Sequence, residues 1–593
     1  MIAHDMRVST TVIGLAAVAL VAPGSGCGAH PRSRPVSSRP VVGPAPPAVR
    51  PRPVAAPLPR RGAILDRRGR VLADHAVRYN VYAVSRDVDV DGLEAVRLAL
   101  GYKRVWLGGA RARLSGVGAG SGVRARLRGQ ATLIVAGLTP AVWRRGKERL
   151  RRIRGVWVHP VLSRRYPLGS LASHALGHLG EVSPAELGRG YRIRDRVGRF
   201  GVERLYERTL RGLFHGRHKS STPGRRVVLT LDADLQRRVE KALAPHPMAA
   251  AVVVDVHTGR ILAMASRPGL DLRRLAAPLT RKGLASLVGH PFKPFWDRCV
   301  MAAVNPGTTF LVVSALAALE SRTPRVPRTI RCTGGVTHRR RRYRCTARHG
   351  ALSARGALMR GCRSWFYRAG RRLGLDRLAR TARSLGLGQA TGLGLNDEVS
   401  GTVPTVAWLK RVPNLAPSPG HVMSAAIGQG QVTVTPLQLA MVYGAIANGG
   451  RLYHPQLVLR TERPDGRPYR RFDPRLRRRI KIGASTLRTI RRGLRQAVAH
   501  AKGQARGAQV AGLAVAGLVG SGQGSAHGYV RPNATSHAWF AGYAPAQRPE
   551  IAVVVLVQNG GSGNRVAAPI AGRILRGHFG RKRPKPQIAS HRR

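Results

Sequence analysis

The sequence predicts an α+β protein, and three observations carry that expectation. The segment AAAVVVDVHTGRILAMASRP, starting at Ala249, reads as strand, turn and strand, with His257-Thr258-Gly259 as the turn. Near the C-terminus HAWFAGYAP and EIAVVVLVQNG read as two further strands, followed by a helix from Ala567 to Arg576. The chain between these pairs is mainly helical in pattern. Strands from both ends enclosing a helical middle imply one central antiparallel sheet, built from both termini and flanked by helices.

The remaining elements follow in chain order. Residues Thr10 to Ala22 form an apolar run of thirteen after Arg7, the length of an export-signal core and too short for an ordinary membrane span. Ser25-Gly26-Cys27 resembles the end of a bacterial lipobox, with Gly24 in place of the usual Leu, so a lipidated Cys27, simple cleavage and a short anchor all stay open. His30 to Arg60 is rich in Pro, Arg, Ser and Ala and has too few apolar residues for a core. Structured sequence begins at RGAILDRRGRVLADHAVRYNVYAV, whose end alternates as a strand. VVLTLDADLQRRVEKALAPHP reads as a strand followed by an amphipathic helix. The expected division is an export signal at 1–28, a linker at 29–60, a first domain at 61–222, a second at 223–579, and a basic tail at 580–593.

Charge is the compositional outlier. The 593 residues carry a formal +75, and only eleven of the 102 basic residues are Lys. Such a field favours polyanions such as acidic envelope polymers or anionic lipid. A bias toward Arg on solvated surfaces accounts for it equally well. An exported chain makes nucleic acid an unsuitable partner.

Several segments together resemble the class B penicillin-binding proteins of the elongation type, the D,D-transpeptidases that cross-link peptidoglycan. They are RGAILDRRGRVLA, YPLGSLASHALGHLGEV and GVERLYERTLRG, then LTLDADLQ, VVVDVHTGRILAMAS, IGQGQVTVTPLQLAMVYGAIANGG and HAWFAGYAP. The resemblance spans about Arg61 to Arg576 and implies a pedestal (dimerisation) domain followed by a penicillin-binding transpeptidase domain. It also implies partners in wall synthesis, among them the membrane glycosyltransferase, reached through the pedestal.

Three motifs carry that family's chemistry. Ser-x-x-Lys puts nucleophile and base on one helix face, because residues three apart are neighbours. Ser-x-Asn relays protons and holds the substrate amide, and Lys-Thr-Gly binds the substrate carboxylate. All three are replaced here. In PGTTFL the nucleophile and base positions are Thr308 and Leu311; in MRGCRSWFY the second motif is Gly361, Cys362 and Arg363; in VAGLVGSGQ the third is Leu518, Val519 and Gly520. No Ser in the chain has Lys three residues on. A threonine hydroxyl without an adjacent base is a poor nucleophile, and neither Leu311 nor a permanently charged Arg363 supplies one. The expectation is a pseudoenzyme acting as scaffold or regulator. The alternatives are an altered acyl transferase using Thr308, and a binding module for anionic wall polymer or lipid.

One constellation remains. Cys332 and Cys345 bracket a hairpin, His349 follows four residues later, and Cys362 opens the next helix. Three thiolates and an imidazole compose a closed structural zinc site. The rival is a Cys332–Cys345 disulfide, natural in an oxidising envelope, with a buried free Cys362. Some elongation-type members of the family are similar here, with a metal site that includes a His and a Cys beside Ser-x-Asn. Other residues read as structural: His174 and His178 (HALGH) as packing groups, Asp232 and Asp255 as turn or helix caps, Gly428 and Gly430 as close-packing positions, Cys299 as core, and His338 to Arg342 as a solvated hairpin tip.

Overall fold

The computed structural model describes residues 60–84, 87–102, 131–189, 191, 195–215, 220–276, 281–321, 326–523, 525–526, 529–530 and 535–580. The export signal, Cys27, most of the linker and the basic tail therefore lie outside the described residues.

The central sheet has five strands in the order Ile261–Arg267, Ala249–Asp255, Ile551–Val557, His537–Ala544 and Ala516–Gly522. Every pairing is antiparallel. Both ends of the domain meet in it, as the strand patterns predict. Asp255 braces the first turn, its carboxylate accepting from the His257 and Thr258 amides. Two of the strands are buried along their whole length, and Ala249–Asp255 is buried up to Asp255, which explains their apolar runs. Helix Pro436–Ala447, buried all round, starts with a capping box between Thr435 and Gln438 and packs on the sheet. Helices Ala233–Leu243 and Ala567–Phe579 also pack on it and on each other.

Asp232 caps the first of these helices by accepting from the Asp234 and Leu235 amides. It also pairs with Arg68 at 2.8 Å and so ties the two domains together. The N-terminal domain is built on the long strand Val71–Val84, which pairs with Ile64–Leu65, Ala131–Leu138 and Val156–Arg165. Its segments are joined by the buried Glu203, whose carboxylate meets Arg61 and Arg164 at 2.7 Å each.

The seven-stranded sheet of this region crosses the boundary expected at 222/223. Strand Arg226–Leu229 runs parallel to Ile64–Leu65, and Val458–Glu462 with Pro468–Arg471 extends the sheet from the distant C-terminal half. A second junction centres on the buried Asn396. Its amide donates to the His174 carbonyl at 2.7 Å and to Asp297 at 2.9 Å, and its oxygen accepts from the Gly201 amide at 2.7 Å.

Candidate functional site: a substituted cleft beside a thiol-imidazole cluster

The first motif sits on a tight turn. Gly307–Phe310 forms one 3₁₀ turn and Leu311–Leu319 continues as a buried α-helix. Asn305 fixes the entry, its amide donating to the Gly430 and Val432 carbonyls, while its own carbonyl accepts from Trp539 Nε1 at 2.9 Å. Thr308 is nearly buried, and its Oγ1 donates to the Val519 carbonyl at 2.6 Å. Among the described residues this is the only hydrogen bond of that hydroxyl. Leu311, in the base position, is fully buried in the core.

The third motif lies on the edge strand Ala516–Gly522, and it meets the turn backbone to backbone. A Cβ placed on Gly520 falls 2.2 Å from the Pro306 carbonyl oxygen, and one on Gly522 falls 1.8 Å from that of Asn305. Gly520 thus has a steric reason to be glycine that is independent of chemistry. Leu518 is buried in the core and Val519 contributes its carbonyl. Gln429, between Gly428 and Gly430, closes the contact: it donates to the Ser521 carbonyl at 2.9 Å and accepts from the Gln523 amide at 3.1 Å. Sequence reasoning passed over Gln429, although the paired glycines around it marked a close approach. Gly428 confirms that reading, with φ +67° and a hypothetical Cβ 2.4 Å from the Gly307 carbonyl oxygen.

The second motif lies at a helix junction. Gly361 ends helix Ala354–Arg360 in the left-handed conformation at φ +62°. A Cβ there falls 2.6 Å from Gln504 Oε1, so the side chain of Gln504 occupies the space beside it. Arg363 starts helix Arg363–Leu373, half-buried, with its Nε unpartnered. A guanidinium has no lone pair to receive a proton, so this position relays none.

The thiol cluster forms next to this junction as its spacing predicts. Strands Gly335–His338 and Arg341–Arg344 make the hairpin, and Cys362 is the N-cap of the following helix. Cys332, Cys345, His349 and Cys362 bring all their ligand atoms within 4.8 Å of one another. His349 Nδ1 lies 3.6 Å from Cys332 Sγ and 3.4 Å from Cys345 Sγ, and the Cys345 and Cys362 sulfurs are 3.9 Å apart. A tetrahedron with Zn–S of about 2.3 Å and Zn–N of about 2.0–2.1 Å has S···S edges of about 3.8 Å and S···N edges of about 3.5 Å. The donor set and its spacing therefore fit zinc. Contact with Cys362 is the main cause that holds the Cys345 thiol well below its usual value, and Cys362 is pushed up in return. Around the cluster, Ser364 Oγ lies 3.3 Å from Cys332 Sγ, and Arg360 donates to the His349 carbonyl at 2.9 Å. All four cysteines of the described chain are free thiols.

The residues read as structural behave so. His174 Nε2 bonds the Pro294 carbonyl at 2.7 Å, and His178 stacks on Phe200. Burial lowers the pKa of both imidazoles. Cys299 is fully buried, and burial pushes its thiol up.

Comparison with known proteins agrees with this architecture. Residues 249–576 match the penicillin binding protein transpeptidase domain, and 57–236 match the penicillin-binding protein dimerisation domain. The peptidoglycan D,D-transpeptidase MrdA of Acinetobacter baumannii is 27% identical over 86% of this chain and 80% of its own length. Stage V sporulation protein D of Bacillus subtilis is 29% identical over 87% and 78%. Among solved structures, Pseudomonas aeruginosa PBP2 is 26% identical with a TM-score of 0.67, covering 90% of this chain and 98% of that one. A chain from a peptidoglycan synthase complex coordinating polymerization and crosslinking is 28% identical with a TM-score of 0.71, covering 90% and 92%. The chain belongs to the penicillin-binding protein transpeptidase family, in its PBP2-like class B branch with a dimerisation domain ahead of the transpeptidase domain.

Proposed function

We propose that this homologue of the peptidoglycan transpeptidases serves wall synthesis without forming an acyl-enzyme, as a docking or regulatory member of the machinery at the envelope face of the membrane. The observation that carries this reading is the bond from Thr308 to the Val519 carbonyl, with Leu311 where the base belongs. A positioned general base is worth roughly 10²- to 10⁴-fold, and groups that act as a unit lose most of their joint effect when one is missing. Here base, relay and carboxylate anchor are all replaced.

The dimerisation domain supports the docking half of the reading. It has a buried Arg61–Glu203–Arg164 core and is tied to the second domain through Asp232 and Asn396. The relative of 28% identity was solved inside a peptidoglycan synthase complex, so the partners we assign are of that class, including the membrane glycosyltransferase. Delivery would use the N-terminal apolar segment as signal or anchor, or a lipidated Cys27. We assign zinc to Cys332, Cys345, His349 and Cys362, in a structural role that ties the hairpin to the helix beside the former cleft. Affinity capture from envelope membranes tests the docking: recovery of wall-synthesis proteins is expected, and their absence under conditions that retain a PBP2 control contradicts it.

A further inference from the structure

A cavity of about 310 Å³ lies between the basic hairpin and helix Arg363–Leu373, apart from the thiol cluster and from Thr308. Val336, Met423 and Tyr367 form part of its wall, and Arg368, Arg371 and Arg372 line it as well. These arginines are exposed and stand at i, i+3 and i+4 on one helix face. Like charges at that spacing weaken a helix unless an anion offsets them.

The surroundings supply no anion. Between Glu320 and Asp376 the sequence holds sixteen Arg and no acidic residue. Arg371 donates to His338 Nδ1 at 2.9 Å, and among the described residues Arg368 and Arg372 have neither a hydrogen bond nor an ion pair. The His338 Nε2 on the facing hairpin is buried and unpartnered. With Arg371 donating to its Nδ1, that ring carries its proton on Nε2 and adds no acceptor there to offset the arginines. The tip residues Arg339 to Arg342 continue the positive surface beyond the cavity.

We propose that this cavity and the adjoining hairpin form a binding site for a phosphodiester polymer, with phosphate groups held by the forks of Arg368, Arg371 and Arg372. Guanidinium groups match phosphate oxygens in pairs, and the basic track running out of the cavity suits a ligand with repeated charges. A water-borne polymer fits better than a lipid surface. None of the large exposed apolar residues of the described chain lies in this segment, so it offers no face to bury in a bilayer. The site is independent of the docking reading: either stands if the other fails.

The test is binding of fluorescently labelled poly(glycerol phosphate) to the full-length chain, measured by anisotropy at physiological salt. Replacing Arg368, Arg371 and Arg372 together by Ala is expected to weaken binding by about tenfold or more, from the loss of several charge-assisted hydrogen bonds. The matched variant with Ala at Arg144, Arg145 and Arg149, exposed on helix Pro140–Arg151, is expected to change it by less than about twofold, because it removes the same charge from another surface. Should the first variant lose its cooperative melting transition, Arg372→Glu alone is read instead, with the same direction expected. Equal loss in both triple variants overturns the proposal in favour of a general charge field. Wild-type binding to phosphatidylglycerol vesicles with no binding to the polymer overturns it in favour of lipid.

Discussion

Thr308 and Val519 are joined by a 2.6 Å hydrogen bond in which the hydroxyl donates to a backbone carbonyl. A carbonyl accepts the hydrogen bond but does not take the proton, so the oxygen that would attack an acyl carbon stays protonated. The turn and the edge strand are pressed together at Gly520 and Gly522, which holds donor and acceptor in place. The family's covalent chemistry needs the opposite arrangement, a basic nitrogen facing that oxygen.

Restoring the second motif is expected to cost stability rather than return function. Gly361→Ser puts a side chain on a residue at φ +62° and drives its Cβ into Gln504. The left-handed conformation alone costs about 1–2 kcal/mol for a residue with a Cβ. Urea denaturation should show at least that loss, and adding Gln504→Ala should recover part of it. A neutral Gly361→Ser would mean the junction repacks freely.

Metal content tests the thiol cluster. One zinc per chain is expected by elemental mass spectrometry, and Cys362→Ser or His349→Ala should lose it. With free zinc at ~1,000 times its Kd, the loss lowers stability by about 4 kcal/mol. A metal-free protein with Cys332 and Cys345 disulfide-linked in its peptide map contradicts the assignment.

Asn396 bridges the domains with three buried hydrogen bonds. Asn396→Ala leaves the Gly201 amide and the Asp297 carboxylate each short of a partner, at about 1–3 kcal/mol for each buried group. Equilibrium unfolding should show a loss of about 2–6 kcal/mol. A change below about 0.5 kcal/mol, the range of ordinary surface substitutions, would remove Asn396 from the junction's account.

Acid sensitivity follows from His537, on the strand paired with Gly522. Burial lowers its pKa from 6.5 to about 4, and its Nδ1 accepts from the Asn559 amide. The folded chain keeps this imidazole neutral while the unfolded chain protonates it below about 6.5. The contribution is therefore complete above that pH and is lost as pH falls toward 4, by up to about 3 kcal/mol. Melting temperatures taken from pH 7 to 4.5 should fall, and His537→Gln should flatten that slope. An unchanged slope in the variant contradicts the assignment.

Much of this architecture was legible in the sequence because its signals are local. The strand-turn-strand at Asp255, the hairpin between Cys332 and Cys345, and the cap at Asp232 each follow from a few neighbouring residues. The thiol cluster stood out because cysteine is rare in this chain, with five in all. What escaped was non-local. Strand Val458–Glu462 pairs with Arg226–Leu229 across more than half of the second domain, and nothing in its own residues names that partner. Gln429 binds the edge strand through a contact that only the folded backbone creates. The substitutions at Thr308, Leu311 and Arg363 were readable, but the carbonyl that engages Thr308 was not.

Intact-mass spectrometry after prolonged exposure to a β-lactam probes the missing base most directly. The expected result is an unmodified chain at concentrations that fully acylate a PBP2 control. A stoichiometric mass increase mapped to Thr308 would show that this oxygen is activated after all.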